Sequence, residues 1–144
     1  MLIFPNFTNK NITYIKALKI KKPEPPLPTL KQSNVAVIIQ SIQEKKGENI
    51  ITIDLRSIPD AVTDFFIICD AESTTQVRAI AGNVIEKTKK ISDENPWHVE
   101  GLQHAEWILL DYVDIVVHIF LKPLRRFYQL EELWSDAVIE EHNE

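Results

Sequence analysis

The chain has 144 residues, enough for one domain with a sizeable core, and 44% hydrophobic with 26% charged residues fits a globular fold. It has no run of about 18 apolar residues, so no membrane-spanning helix is expected. A single cysteine excludes an internal disulfide framework, and one cysteine with four scattered histidines cannot complete a closed zinc site. Charge is uneven: residues 1–30 carry five lysines and one glutamate, a net of +4, which leaves −9 on the remainder. A body of that charge is repelled by bare phosphate backbone and suited to a basic protein surface, so direct nucleic-acid binding is not expected.

Residues 1–30 read as a basic, Pro-containing N-terminal extension. Within it "KKPEPPLP" (Lys21 to Pro28) cannot continue a helix or a central strand and reads as a semi-extended linker. A disordered tail is the plain reading of the extension; a transit segment is the alternative, weakened by the absence of arginine. Residues 31–144 follow as one α/β domain.

Ser33 can cap a helix whose apolar stripe is Val35, Ile38, Ile39 and Ile42, and "KKG" at Lys45 to Gly47 ends it. "NIITIDL" (Asn49 to Leu55) is a β-branched strand, "RSIPDAVTD" a loop, and "DFFIIC" a strand apolar on both faces and therefore central. Cys69 closes that run and reads as a small buried residue rather than a reactive thiol. "STTQ" (Ser73 to Gln76) is a capping box that opens the best helix, with Val77, Ile80, Ala81, Val84, Ile85 and Thr88 along one stripe. Gly82 inside it suggests a close packing contact. "WHVEG", "AEWILLDY" and "DIVVHIF" are three further strands. Pro123 suits the first turn of a helix, and Leu124, Phe127, Tyr128, Leu130, Leu133, Trp134, Ala137 and Val138 supply apolar positions for two short helices. The expected fold is α/β, a mixed five-stranded sheet flanked by helices in the order α-β-β-α-β-β-β-α.

The last two strands form a hairpin. With Tyr112 and Val113 as a two-residue turn, Asp111 pairs with Asp114, Leu109 with Val116 and Trp107 with His118, all on one face. Ile108, Leu110, Ile115, Val117 and Ile119 take the other face and supply core. Two readings of the first face stay open. In one, Trp107 and His118 lie under the C-terminal helix and the aspartates accept from local turn amides. In the other, an aromatic centre with an acidic rim forms a protein-binding patch.

Signs of catalysis are weak. Asp54, Asp64, Asp70, Asp111 and Asp114 fall at strand ends, but nothing selects a general acid–base pair among them. Three glycines all but exclude a glycine-rich phosphate cradle, and the common nucleotide, hydrolase and zinc-protease motifs are absent.

"TDFFIIC", "VEG", "AEWILLDYVDIVVHIF" and "RRFYQLEELWSDA" together resemble the ribosomal silencing factor family, also called Iojap-like, in the family's order and over about Ser33 to Ala137. The resemblance implies a nucleotidyltransferase-like fold without enzymatic activity and with no cofactor or metal. It implies that the partner is the large ribosomal subunit, met at ribosomal protein fourteen, with small-subunit joining blocked by bulk and translation damped when nutrients are scarce. Organelle members act in large-subunit biogenesis, and a homodimer is a further state known for the family. The implied partner-binding face comprises Trp107, Asp111, Asp114, His118, Arg126, Tyr128, Leu133 and Trp134, with Trp107 as its buried anchor. The family carries glycine where Val113 stands. A β-branched residue resists φ > 0, so the turn is expected to differ there. "CDAES" also departs from the family's Cys-Ser/Thr-Gly form.

Overall fold

The computed structural model describes residues 28–142, with side chains described from residue 34; the linker before Pro28 lies outside the described residues. Helix α1 spans Pro28–Glu44, followed by strands β1 (Glu48–Asp54) and β2 (Phe65–Ala71), helix α2 (Thr74–Ser92), and strands β3 (His98–Glu100), β4 (Trp107–Asp111) and β5 (Ile115–Leu121). Helix α3 (Lys122–Tyr128), a 3-10 turn (Leu130–Trp134) and strand β6 (Val138–Glu141) complete the fold. The expected element order holds. The sheet gains a sixth strand where Ala137 and Val138 were expected to continue a helix.

The sheet order is β3-β4-β5-β2-β1-β6, with β2 and β5 parallel and the other pairs antiparallel. β2 is central and buried along its whole length, as its two-sided apolar sequence requires. Alternation divides the core in two. On one face Ile38 and Ile42 of α1 and Val77, Ile80 and Val84 of α2 pack on Ile67, Cys69, Ile108, Leu110, Val117 and Ile119. On the other face Phe66, Ile68, Trp107, Leu109, Val116 and Phe120 meet Leu130 and Trp134, with Leu124 and Tyr128 packed against them. Cys69 is fully buried, and burial pushes its thiol up out of the nucleophilic range.

Local chemistry sets the helix ends, with two departures from expectation, at Ser33 and Gly82. α1 starts at Pro28, which suits a first turn, so Ser33 lies inside the helix and not at its N-terminal boundary. At its other end Lys46 adopts the left-handed conformation (φ 64°), and Gly47 is needed because a Cβ there would run into the Ile42 side chain. Gly82 faces open space on the exposed side of α2, so no close packing contact explains it. The α2 cap forms: Ser73 Oγ accepts from Gln76 N at 3.1 Å, and Gln76 Oε1 accepts from Glu72 N. Gln76 Nε2 also donates to the carbonyls of Lys45 and Lys46, tying the start of α2 to the end of α1.

Candidate functional site

The β4–β5 hairpin has the expected faces but a different register. Asp111 pairs with Val116, Leu109 with His118 and Trp107 with Phe120, so Asp111 and Asp114 do not oppose each other. The expected carboxylate clash is thereby removed by a wider turn, closed by Tyr112 N donating to Ile115 O at 2.8 Å. A shift of two residues preserves side-chain parity, which is why the faces survive the change. Val113 nonetheless takes φ 79°, the left-handed region it was expected to resist. Its amide donates to Asp111 Oδ1 at 2.7 Å, and this bond holds the strained residue in place.

The first hairpin face is interior. Trp107, His118 and Asp111 are buried, with Trp107 and His118 wholly inaccessible, so Trp107 cannot be the surface anchor that the docking-patch reading required. The reason is α3 and the 3-10 turn, which lie over this face and seal it. Trp107 stacks on Phe120 (ring centroids 4.7 Å apart) and packs against Tyr128 (5.1 Å). Its indole Nε1 donates to His118 Nδ1 at 3.2 Å. That bond makes Nδ1 the acceptor, so the neutral ring carries its proton on Nε2, which has no hydrogen-bond partner among the described residues. Burial pushes the His118 imidazole down to about 3, so it stays uncharged at neutral pH.

The other expected site residues divide. Trp134 is buried in the second core, meeting Phe66 edge-on at 5.6 Å. Asp114 and Tyr128 are half-buried, and the Asp114 backbone carbonyl accepts from Asp64 N and Phe65 N. Arg126 and Leu133 are exposed. Phe127 is 49% exposed, and Leu133 is 57% exposed. Phe127 meets Tyr128 edge-on at 5.1 Å, and Tyr128 in turn rests on Trp107. The surface feature is therefore the outer side of α3 and the 3-10 turn, two apolar side chains beside Arg126, supported from below by a ladder of aromatic rings.

The strand-end acids do not assemble into a catalytic pair. Asp54 accepts from Arg56 through both carboxylate oxygens (2.9 and 2.7 Å), which holds its carboxyl below the usual range. Asp70 lies at the opposite end of β2 from Asp64, in a buried network absent from the expectations. Asn49 Nδ2 donates to both of its oxygens, and the Arg125 guanidinium reaches Asp70 at 3.2 Å, the Asn49 carbonyl, and Glu131 at 3.3 Å. Burial raises the Asp70 carboxyl despite these partners. Arg125 was legible only as a charge beside Arg126. Its position four residues after the end of β5 gave no sign that it turns inward. Among the described residues no three His, Cys, Asp or Glu side chains gather as a metal-binding group, and no helix is long and apolar enough to cross a membrane.

Comparison with known proteins supplies the family. The family model "Ribosomal silencing factor during starvation" matches residues 28–144. The chain is 38% identical over 109 residues to "Ribosomal silencing factor RsfS" of Bacillus subtilis (74% of this chain, 88% of that protein). It is 36% identical over 109 residues to the protein of the same name in Halalkalibacterium halodurans (74% and 89%). A crystal structure of a Chromobacterium violaceum protein superposes with a TM-score of 0.68 at 31% identity, covering 72% of this chain and 85% of that one. A match across the whole described domain, with relatives above 30% identity covering most of both chains, means that the chain belongs to the ribosomal silencing factor family.

Proposed function

We infer that this protein silences ribosomes by binding the large subunit at ribosomal protein fourteen and keeping the small subunit from joining, so that translation falls when nutrients are scarce. The observation that carries the reading is family membership across residues 28–144. The geometry contributes a candidate contact surface: Phe127 and Leu133, exposed on α3 and the 3-10 turn, with Arg126 and Tyr128 beside them. A small cluster of apolar side chains with an arginine and a tyrosine at its edge has the composition of an interface centre. Trp107, His118 and Trp134 act on this surface indirectly, by fixing the elements that present it.

Occlusion needs affinity and volume at the right place and no turnover, which is consistent with strand-end acids that pair with neighbours instead of converging on a reacting group. The excess of acid over base in the domain steers it towards a basic ribosomal protein and away from exposed RNA. The compartment that follows is the one holding bacterial-type ribosomes: the cytoplasm in a bacterium, or an organelle if the basic extension is a transit segment.

Subunit joining followed by light scattering tests this. Large subunits incubated with the full chain before small subunits are added should join more slowly and to a lower extent. Joining that proceeds unchanged at saturating protein would refute the reading.

A further inference from the structure

β6 ends the sheet, and its outer edge is unpaired among the described residues. All four of its residues are exposed, Val138 by 67% and Ile139 by 43%. The ladder to β1 fixes which backbone groups are spent. His142 N donates to Ile50 O at 2.8 Å, and Glu140 and Val138 lie opposite Thr52 and Asp54 in the same register. Because hydrogen-bonding alternates along an antiparallel pair, Val138, Glu140 and His142 direct their N–H and C=O groups at β1, and Ile139 and Glu141 direct theirs outward. Exposed edges usually carry lysine, proline or a bulge that discourages pairing. This one has no lysine, proline or bulge; it is short and bears two glutamates, whose charge deters self-pairing but suits a basic partner strand.

The side chains around the edge indicate what would pair with it. Ile139 and Glu141 border a crevice of about 510 Å³ that also takes in Glu131, Arg125 and Asp70. Glu131 uses one carboxylate oxygen to accept from Arg125; the other, Oε1, is shielded from solvent and has no hydrogen-bond partner among the described residues. Of the three cations that line this crevice, Lys122 is engaged by Glu48 and Glu72 and Arg125 by Asp70 and Glu131, while Arg126 stands exposed on α3, so the acidic groups a partner would meet are those of β6 itself. On the opposite side of the strand Glu140 lies beside Val138 in a second, smaller hollow. Each side of β6 therefore offers one apolar and at least one acidic side chain to a neighbouring strand.

We propose that the open edge of β6 is a strand-addition site for an extended, lysine- or arginine-rich segment of another protein. Main-chain bonds would run to Ile139 and Glu141, with basic side chains meeting Glu141 on one face and Glu140 on the other. A second copy of this chain is a poor occupant, because edge-to-edge pairing would crowd the glutamates of both strands into one ribbon. The crevice shares Arg126 with the surface on α3, but the edge of β6 does not include Phe127 or Leu133, and its test reads peptide binding and not subunit joining.

The test is a titration of the full-length, ¹⁵N-labelled chain, at near-physiological salt, with a heptapeptide of lysine and valine whose lysines fall on both faces of an extended strand. Saturable shifts and slowed exchange at the Ile139 and Glu141 amides are expected, and a peptide with glutamate for each lysine should bind about tenfold more weakly or worse. Ile139→Pro removes an outward N–H that β1 does not use, leaves the charge unchanged, and should weaken binding about tenfold. Glu141→Gln, which spares the backbone, should weaken it several-fold. Shifts that map away from β6, binding unaffected by Ile139→Pro and Glu141→Gln, or protection of the edge that depends on protein concentration without peptide would each overturn the proposal.

Discussion

Trp107 spends its only polar hydrogen on His118, inside the molecule. That one bond separates the two readings that the hairpin sequence left open. Alternation placed Trp107, Asp111 and His118 on a common face because it is a local property of the strand. What lies over that face depends on where α3 returns after β5, which no spacing within the hairpin reveals. Trp107→Ala is therefore a core deletion, expected to cost about 3–5 kcal/mol of stability in urea unfolding. A loss below about 1 kcal/mol would place the indole at the surface after all. His118 gives a second residue-scale expectation. Its native imidazole titrates near 3 and an unfolded one near 6.5, so the unfolded chain takes up a proton first as pH falls. The contribution is whole above about pH 6.5 and is lost progressively towards about pH 3. Between pH 7 and pH 5 it amounts to about 2 kcal/mol. His118→Gln should flatten the pH dependence by about that amount in urea titrations at the two pH values, and identical slopes would contradict the burial argument.

Elements show what sequence can and cannot resolve. β2 was legible as central because both of its faces are apolar, and α2 because its stripe and cap agree. β6 was not, because Ala137 and Val138 follow a run of helix-like spacing and a four-residue strand has too few positions to display a period of two. The β4–β5 register was missed for a related reason: parity is set by burial, but a shift of two residues keeps parity and is decided by the turn alone. That turn holds Val113 at φ 79°, a conformation that costs a β-branched residue about 1–2 kcal/mol. Val113→Gly relieves the strain while giving the unfolded chain more freedom, so a net gain of about 0.5–1 kcal/mol is expected. Thermal unfolding of the two proteins measures it, and a destabilised glycine variant would mean that the valine side chain contributes more by packing than the strain costs.

At the scale of the whole molecule, the sheet carries two cores of different use. The α1–α2 side is a conventional helix-covered layer. Among the described residues the other side is covered by a seven-residue helix, a 3-10 turn and the β1–β2 loop with Leu55, Ile58 and Ala61; the helix and turn expose Phe127 and Leu133 while their inner residues reach the core around Trp107. The residues that resemble the family most closely are thus split between support and surface, and burial assigns each to one role. Charge adds direction, since the acid excess of the domain favours a basic protein neighbour. The most direct measurement is cosedimentation of the full chain with purified large subunits at near-physiological salt, with Phe127→Ala/Leu133→Ala compared against wild type. Both substitutions lie at exposed positions, so the double variant should keep its melting temperature to within a few degrees and lose about tenfold or more in affinity. A folded double variant that sediments with the subunit as wild type does would show that the contact lies elsewhere on the molecule.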